Sequence, residues 1–190
     1  SLHDALPISM NADSFVEVSG ILCALSANLA KIARDLRLYQ TLGEVCLPQL
    51  QAGSSIMPGK INPVMLEAII QTTLVIQEKH NLILNAAAQG SLQINEFLPL
   101  IADSLLAMLD LLINSTRSLT LHIEGLCVDA ATCLRHVEES PALITALIPQ
   151  ISYKDAEKVV AQFHKEQKVN MRHFLNEKFG TEFVNKMISS

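Results

Sequence analysis

Charge is scarce in this chain. Only 17% of its 190 residues are Asp, Glu, Lys or Arg, where a soluble domain usually carries about a quarter. The net charge is -5, and no basic stripe runs along any segment, which argues against a nucleic-acid binder. No run reaches the roughly 18 consecutive apolar residues that mark a membrane helix; Gln71, Thr72 and Thr73, for example, interrupt the run after Ile70. On that pattern no membrane span is expected. The four cysteines, Cys23, Cys46, Cys127 and Cys133, form no C-x-x-C pair. They sit mostly in apolar surroundings and read as buried, reduced thiols of a cytoplasmic protein. His and Cys are not clustered as a metal site requires, and no cofactor is called for. Residues 1–9, SLHDALPIS, lack the basic and apolar regions of a secretory signal. They resemble translated adapter sequence and read as foreign, with the native chain starting near Met10 and an N-terminal part missing.

What is present is apolar and helical. Apolar residues make up 49% of the chain, a dry composition that calls for a large face covered by partners or by further protein. From Phe15 to Leu38 they recur at three and four residues, through Val18, Leu22, Leu25, Leu29, Ile32 and Leu36, which predicts a first helix. Ser14 or Asp13 would cap it, with Glu17 in the capping-box position after Ser14, and Gly20 would allow close packing. A second helix is predicted over 63–88, with Asn62 as N-cap and Pro63 as first helical residue. A third, over 98–122, is apolar nearly all round and belongs in a large bundle. Helices of this length span on the order of 35–40 Å. The fold class is therefore all-α: residues 10–123 form part of a long-helix bundle, and residues 124–190 a small helical domain. Short helices are predicted near 127–138, 140–149, 153–166 and 169–178, and EKFGTEFVNK reads as a solvated terminal region.

Between the first two helices lies the densest cluster of breakers: Gly43, Pro48, Gly53, Pro58, Gly59 and Pro63. The stretch from Tyr39 to Pro63 exceeds the roughly 12–15 residues usual for a structureless connection, and such loops are often functional. Within it, Gly53 and Gly59 permit backbone conformations closed to other residues and bracket the hydroxyls of Ser54 and Ser55. Lys60 offers a compact positive charge suited to a carboxylate. Asn62 offers an amide that can donate to an oxyanion. The set reads as an anion-binding loop with a reactive hydroxyl.

The segment GSSIMPGKINPVMLE, residues 53–67, resembles the signature G-S-S-x-M-P-x-K-x-N-x-x-x-x-E of the aspartase/fumarase family. Gly53, Ser54, Ser55, Met57, Pro58, Lys60, Asn62 and Glu67 match all its fixed positions. QGSLQINEFLP resembles the family's later loop G-x-x-E-L-N-x-x-x-P through Asn95 and Pro99, with Gln93 in place of the glutamate. ISYKDAEKVVAQFHKE resembles a stretch of its small C-terminal domain. The resemblance spans roughly residues 11–175.

It implies that Ser54 is the general base that takes a proton from the carbon beside a substrate carboxylate. It further implies that Ser55, Lys60 and Asn62 bind a small dicarboxylate, and that Gly53, Met57 and Glu67 support the loop. A serine must be ionised or assisted in a dry site to act so. The family's site is shared between three subunits of a homotetramer, and only the third of its three regions occurs here. The isolated chain is therefore expected to be inactive. His80, His122, His136 and His164 match no catalytic role and are assigned to structure or surface. The wording LPQLQAGSS resembles the ammonia-lyases of the family more than its hydratases. Reversible elimination of ammonia from L-aspartate to fumarate is thus the expected reaction, with fumarate hydration or a non-catalytic, lens-type relative as alternatives. The S-G-P-R stretch after the first helix is absent, and Glu78, Lys79 and His80 replace the usual G-N-D. Serine hydrolysis lacks a nucleophile elbow or a paired histidine.

Overall fold

A computed structural model describes residues 11–49 and 62–189. It forms two compact units that divide between Val128 and Asp129.

The first unit is built on three long helices: α1 (Asp13–Thr41), α2 (Val64–Ala87) and α3 (Leu98–Glu124). α2 packs against both of the others. Its buried positions, Leu66, Ile69, Thr73, Ile76 and Ile83, follow the three-and-four spacing of one helical face. α3 does the same through Ile101, Ser104, Met108, Leu112, Ser115 and Leu119. The buried face of α1 is made of small residues, Ser19, Ser26, Ala30 and Ala33 beside Leu29. Three of the buried hydroxyls are satisfied locally: Ser19, Ser26 and Thr73 donate to the carbonyls of Val16, Cys23 and Ile70 at 2.9, 2.7 and 2.7 Å, whereas Ser104 Oγ is buried without a partner.

Several ends differ from the sequence expectation. α1 starts at Asp13 with Ala12 in the cap position and no side-chain cap. The Asp13 amide donates instead to Asn11 Oδ1 at 2.9 Å, so neither Asp13 nor Ser14 caps the helix. Pro63, not Asn62, takes the cap position of α2. The Val64 amide reaches the backbone carbonyl of Asn62 at 2.9 Å. Gly20 is not needed for close packing, since a Cβ there would meet His80 Cε1 at 3.7 Å, an ordinary contact.

The α2–α3 connection is fixed by Asn95, which is fully buried. Its Nδ2 donates to the carbonyls of Ala86 and Ala87 at 3.3 and 3.1 Å. Its Oδ1 accepts from the Phe97 amide at 2.9 Å. One side chain thereby satisfies the end of α2 and the start of α3.

Two short strands were not foreseen. β1 (Val45–Cys46) and β2 (Cys127–Val128) pair antiparallel, with Val45 opposite Val128 and Cys46 opposite Cys127. Two cysteines are consequently exposed, Cys46 and Cys127, and Cys23 and Cys133 are only partly buried. A two-stranded ribbon has no second layer to cover it, so apolar neighbours in sequence did not translate into burial.

The second unit holds α4 (Ala130–Glu139), a 3-10 turn (Pro141–Leu147), α5 (Tyr153–Lys165), α6 (Met171–Phe179) and α7 (Thr181–Ile188). Its core is Ile144, Leu147, Val159, Phe163, Met171, Phe174, Leu175 and Val184. Phe163 and Phe174 meet edge to face at 5.6 Å. The terminal stretch read as solvated is in fact helical over α7, because Val184 is fully buried and Phe179 and Phe183 pack on the same core.

Candidate active site

Of the residues singled out by the signature, Asn62 and Glu67 are described. Gly53, Ser54, Ser55, Met57, Pro58 and Lys60 lie outside the described residues. The structure therefore shows where the signature segment joins α2. The last turns of α1 and the start of α2 are tied there by Arg37, whose Nη2 donates to Glu67 Oε1 at 3.4 Å. Both side chains are partly exposed, so the pair orients more than it stabilises. It nevertheless gives the predicted supporting carboxylate a cationic partner that the sequence reading did not name. Glu67 also sits in the first turn of α2, where the helix dipole favours a negative charge.

Beside Asn62 lies a narrow crevice lined by Gln40, Leu47, Pro48, Asn62, Pro63, Val64, Met65 and His122. Its polar floor is unusual. His122 is 5% exposed, and neither ring nitrogen has a hydrogen-bond partner. Gln40 Oε1 is likewise buried without one. Burial pushes the His122 imidazole below its ordinary value of 6.5, so it stays neutral at pH 7. A neutral imidazole offers one donor and one acceptor. His122 was assigned to structure or surface, and it is buried; the signal that could have flagged it is its position on the apolar stripe Leu112–Ser115–Leu119 of α3. Pro48 closes the crevice against Gly125. A Cβ at Gly125 would lie 2.4 Å from Pro48 Cγ, so only glycine lets that turn approach.

His80 is a bridge between helices. Its Nδ1 lies 2.9 Å from Ser19 Oγ. Ser19 Oγ also donates to the Val16 carbonyl at 2.9 Å, so the contact joins α1 to α2. Among the described residues no group of three or more His, Cys, Asp or Glu could hold a metal ion.

The surface of the long helices is strongly apolar. Ile21 on α1 is 70% exposed, and Leu106 and Leu121 on α3 are 62% and 63% exposed. A groove between the two helices is lined by Leu22, Leu25, Leu109, Leu112, Ile113 and Leu121. Contrary to the reading from uninterrupted runs, α1 and α3 are long and apolar enough to cross a membrane by length and composition. Both carry buried residues packed on α2, as bundle helices do.

With this geometry in hand, similarity to known proteins can be placed on it. A family described as "Lyase" matches residues 6–78. The mitochondrial fumarate hydratase of Schizosaccharomyces pombe is 35% identical over 175 residues, covering 89% of this chain and 34% of that protein. The class II fumarate hydratase of Rickettsia felis is 37% identical over 159 residues, covering 80% and 34%. Among solved structures, the class II fumarase of Schistosoma mansoni superposes with a TM-score of 0.87 at 30% identity, covering 96% of this chain and 40% of that one. The chain thus spans about a third of the length of these curated relatives.

Proposed function

The chain belongs to the lyase family that includes the class II fumarate hydratases, and from that premise we propose that it supplies one segment of a fumarate hydratase site in a protein of the relatives' length. The observation that carries this reading is the complete signature, Gly53 to Glu67, in a chain whose relatives bear that name. It moves the weight from aspartate, the first expectation, to malate and fumarate.

In the dehydrating direction, Ser54 Oγ takes a proton from the carbon beside one carboxylate of malate. The electron pair left behind is drawn into that carboxylate as an aci-carboxylate, and hydroxide then departs from the neighbouring carbon. Hydration runs the same steps backward. Lys60 and the amide of Asn62 stabilise the charge that builds on the carboxylate, and Ser55 holds the dicarboxylate. Gly53 and Met57 shape the loop. Glu67, braced by Arg37, anchors the loop's exit into α2. The remaining groups of the site come from other segments and other copies, in a homotetramer. The exposed apolar stripes of α1 and α3 support such an assembly, since faces of this kind are normally covered.

Ammonia elimination from aspartate remains the second reading, supported by the wording LPQLQAGSS. A chimera separates the two. Residues 11–189 replace the corresponding segment of the S. pombe relative, and fumarate is followed by its absorbance. The expected result is turnover of malate, reduced at least about 100-fold by Ser54→Ala, and no turnover by the 190-residue chain alone. Turnover of aspartate without malate would move the assignment to the ammonia-lyase. Steady turnover by the chain alone would overturn the shared site.

A further inference from the structure

We propose that Cys46 and Cys127 form a redox-active dithiol that closes reversibly into a disulfide across the β1–β2 ribbon. The two residues are register partners on adjacent antiparallel strands. Directly opposed residues in such a pair project to the same face. Their Cα atoms stand about 4.5 or 5.5 Å apart, depending on the ladder position, and both values fall in the roughly 4.4–6.8 Å range that a disulfide spans. Both thiols are free and exposed, so a small-molecule oxidant reaches them.

The opposition is built in, not incidental. Leu47, next to Cys46, is buried in the helical core. Pro48 packs on Gly125 so tightly that no Cβ fits there. The strand after α1 and the strand after α3 are thereby held together at the base of the ribbon. Cys23 and Cys133 lie on helices α1 and α4, with no cysteine in register opposite either.

The chemistry balances with a low-molecular-weight disulfide such as oxidised glutathione. One cysteine thiolate attacks the glutathione disulfide, forming a mixed disulfide and releasing one glutathione thiol. The second cysteine attacks the protein sulfur of that mixed disulfide. The Cys46–Cys127 bond forms, the second glutathione leaves, and the two cysteine protons end on the two released thiols. The protein pair is oxidised by two electrons and the glutathione disulfide is reduced.

The test is equilibration of the 190-residue chain in glutathione buffers of graded ratio. Free thiols are then blocked with N-ethylmaleimide, and the digest is read by mass spectrometry. The expected product is a peptide pair linked through Cys46 and Cys127, with Cys23 and Cys133 blocked. In Cys46→Ser and Cys127→Ser, whose helicity by circular dichroism should match the wild type, oxidation of the remaining partner should need roughly tenfold more oxidised glutathione, because closure within one chain is favoured by effective concentration. Separate glutathione adducts at both positions without a link, a link to Cys23 or Cys133, or a link only between two chains would each overturn the proposal.

Discussion

The two units begin their helices in different ways. None of the three long helices before Val128 is capped by the residue in its cap position: Ala12, Pro63 and Phe97 stand there without a capping bond, and Asn11 and Asn95, outside the helices, accept the Asp13 and Phe97 amides instead. After Asp129, the side chains of Asp129, Ser140, Ser152 and Asn170 each accept a backbone amide at a helix start. The exposed large hydrophobics divide the same way. Among the described residues, those on the second unit are Leu134, Val137, Ile148, Tyr153 and Val169, and the rest lie on the first. A long helix spreads the cost of its nucleus over many residues and draws its stability from the faces it buries. A helix of ten residues depends on its ends. The second unit thus carries its own stabilising devices, whereas the first is written for a larger bundle.

The largest test of that contrast is a charge on each surface. In the chimera, Leu106→Glu combined with Leu121→Glu should dissociate the assembly, weakening it more than about 100-fold, because each carboxylate would be buried unpaired. Leu134→Glu with Tyr153→Glu should leave the oligomer intact. Light scattering behind size exclusion reads both. If both pairs leave assembly unchanged, the apolar stripes of α1 and α3 are not an interface.

The same contrast explains what the sequence made legible. The long helices could be read because their apolar spacing repeats over many turns; Phe15–Leu38 was expected and Asp13–Thr41 is found. The short helices were placed almost as well where Ser140 and Ser152 mark their starts. α7 was missed because its opening residue, Gly180, carries no cap and sits at φ 87°, while its buried contacts come from Val184 and Phe183, which local polarity hid. β1 and β2 were invisible because two-residue strands have no period, and their partners are far apart in sequence. The signature identified the candidate site by residue identity alone. Its surroundings, Arg37 against Glu67 and Gln40 with His122 in the crevice, depend on which turns of α1, α2 and α3 meet, and spacing within one helix cannot give that.

A smaller test compares the helix starts directly. Ser152→Ala removes the acceptor for the Asp155 amide at 3.2 Å and should lower the stability of the second unit by about 1 kcal/mol. Ser14→Ala in the first turn of α1, where no side-chain cap is made, should change stability by no more than about 0.5 kcal/mol, as at an ordinary surface site. Urea titration with helix-specific probes measures both. Equal losses would mean that the long helices rely on their ends as much as the short ones do.

The smallest expected effect is in the response to acid, and it again separates the units. In the second unit, Asp129 and Asp155 lie below the usual carboxylate value of 3.8, Asp129 through the Thr132 amide and hydroxyl and Asp155 through Ser152 and Lys158. Depressed carboxylates lend stability that is present above 3.8 and lost as pH falls through their folded values. In the first unit, burial depresses His122 below 6.5. The unfolded chain then binds a proton that the folded one refuses, so stability falls as soon as pH drops below about 6.5. The other side chains lining the crevice, Gln40, Leu47, Pro48, Asn62, Pro63, Val64 and Met65, do not titrate, so no neighbour there offsets the charge. Hydrogen exchange, corrected for intrinsic rates, should show the last turn of α3 losing protection as pH falls below about 6.5 while α5 holds until the carboxylates titrate. His122→Leu should flatten the first loss and leave the second unchanged. An unaltered response in that variant would place the acid sensitivity of the first unit elsewhere and remove His122 from the account of its stability.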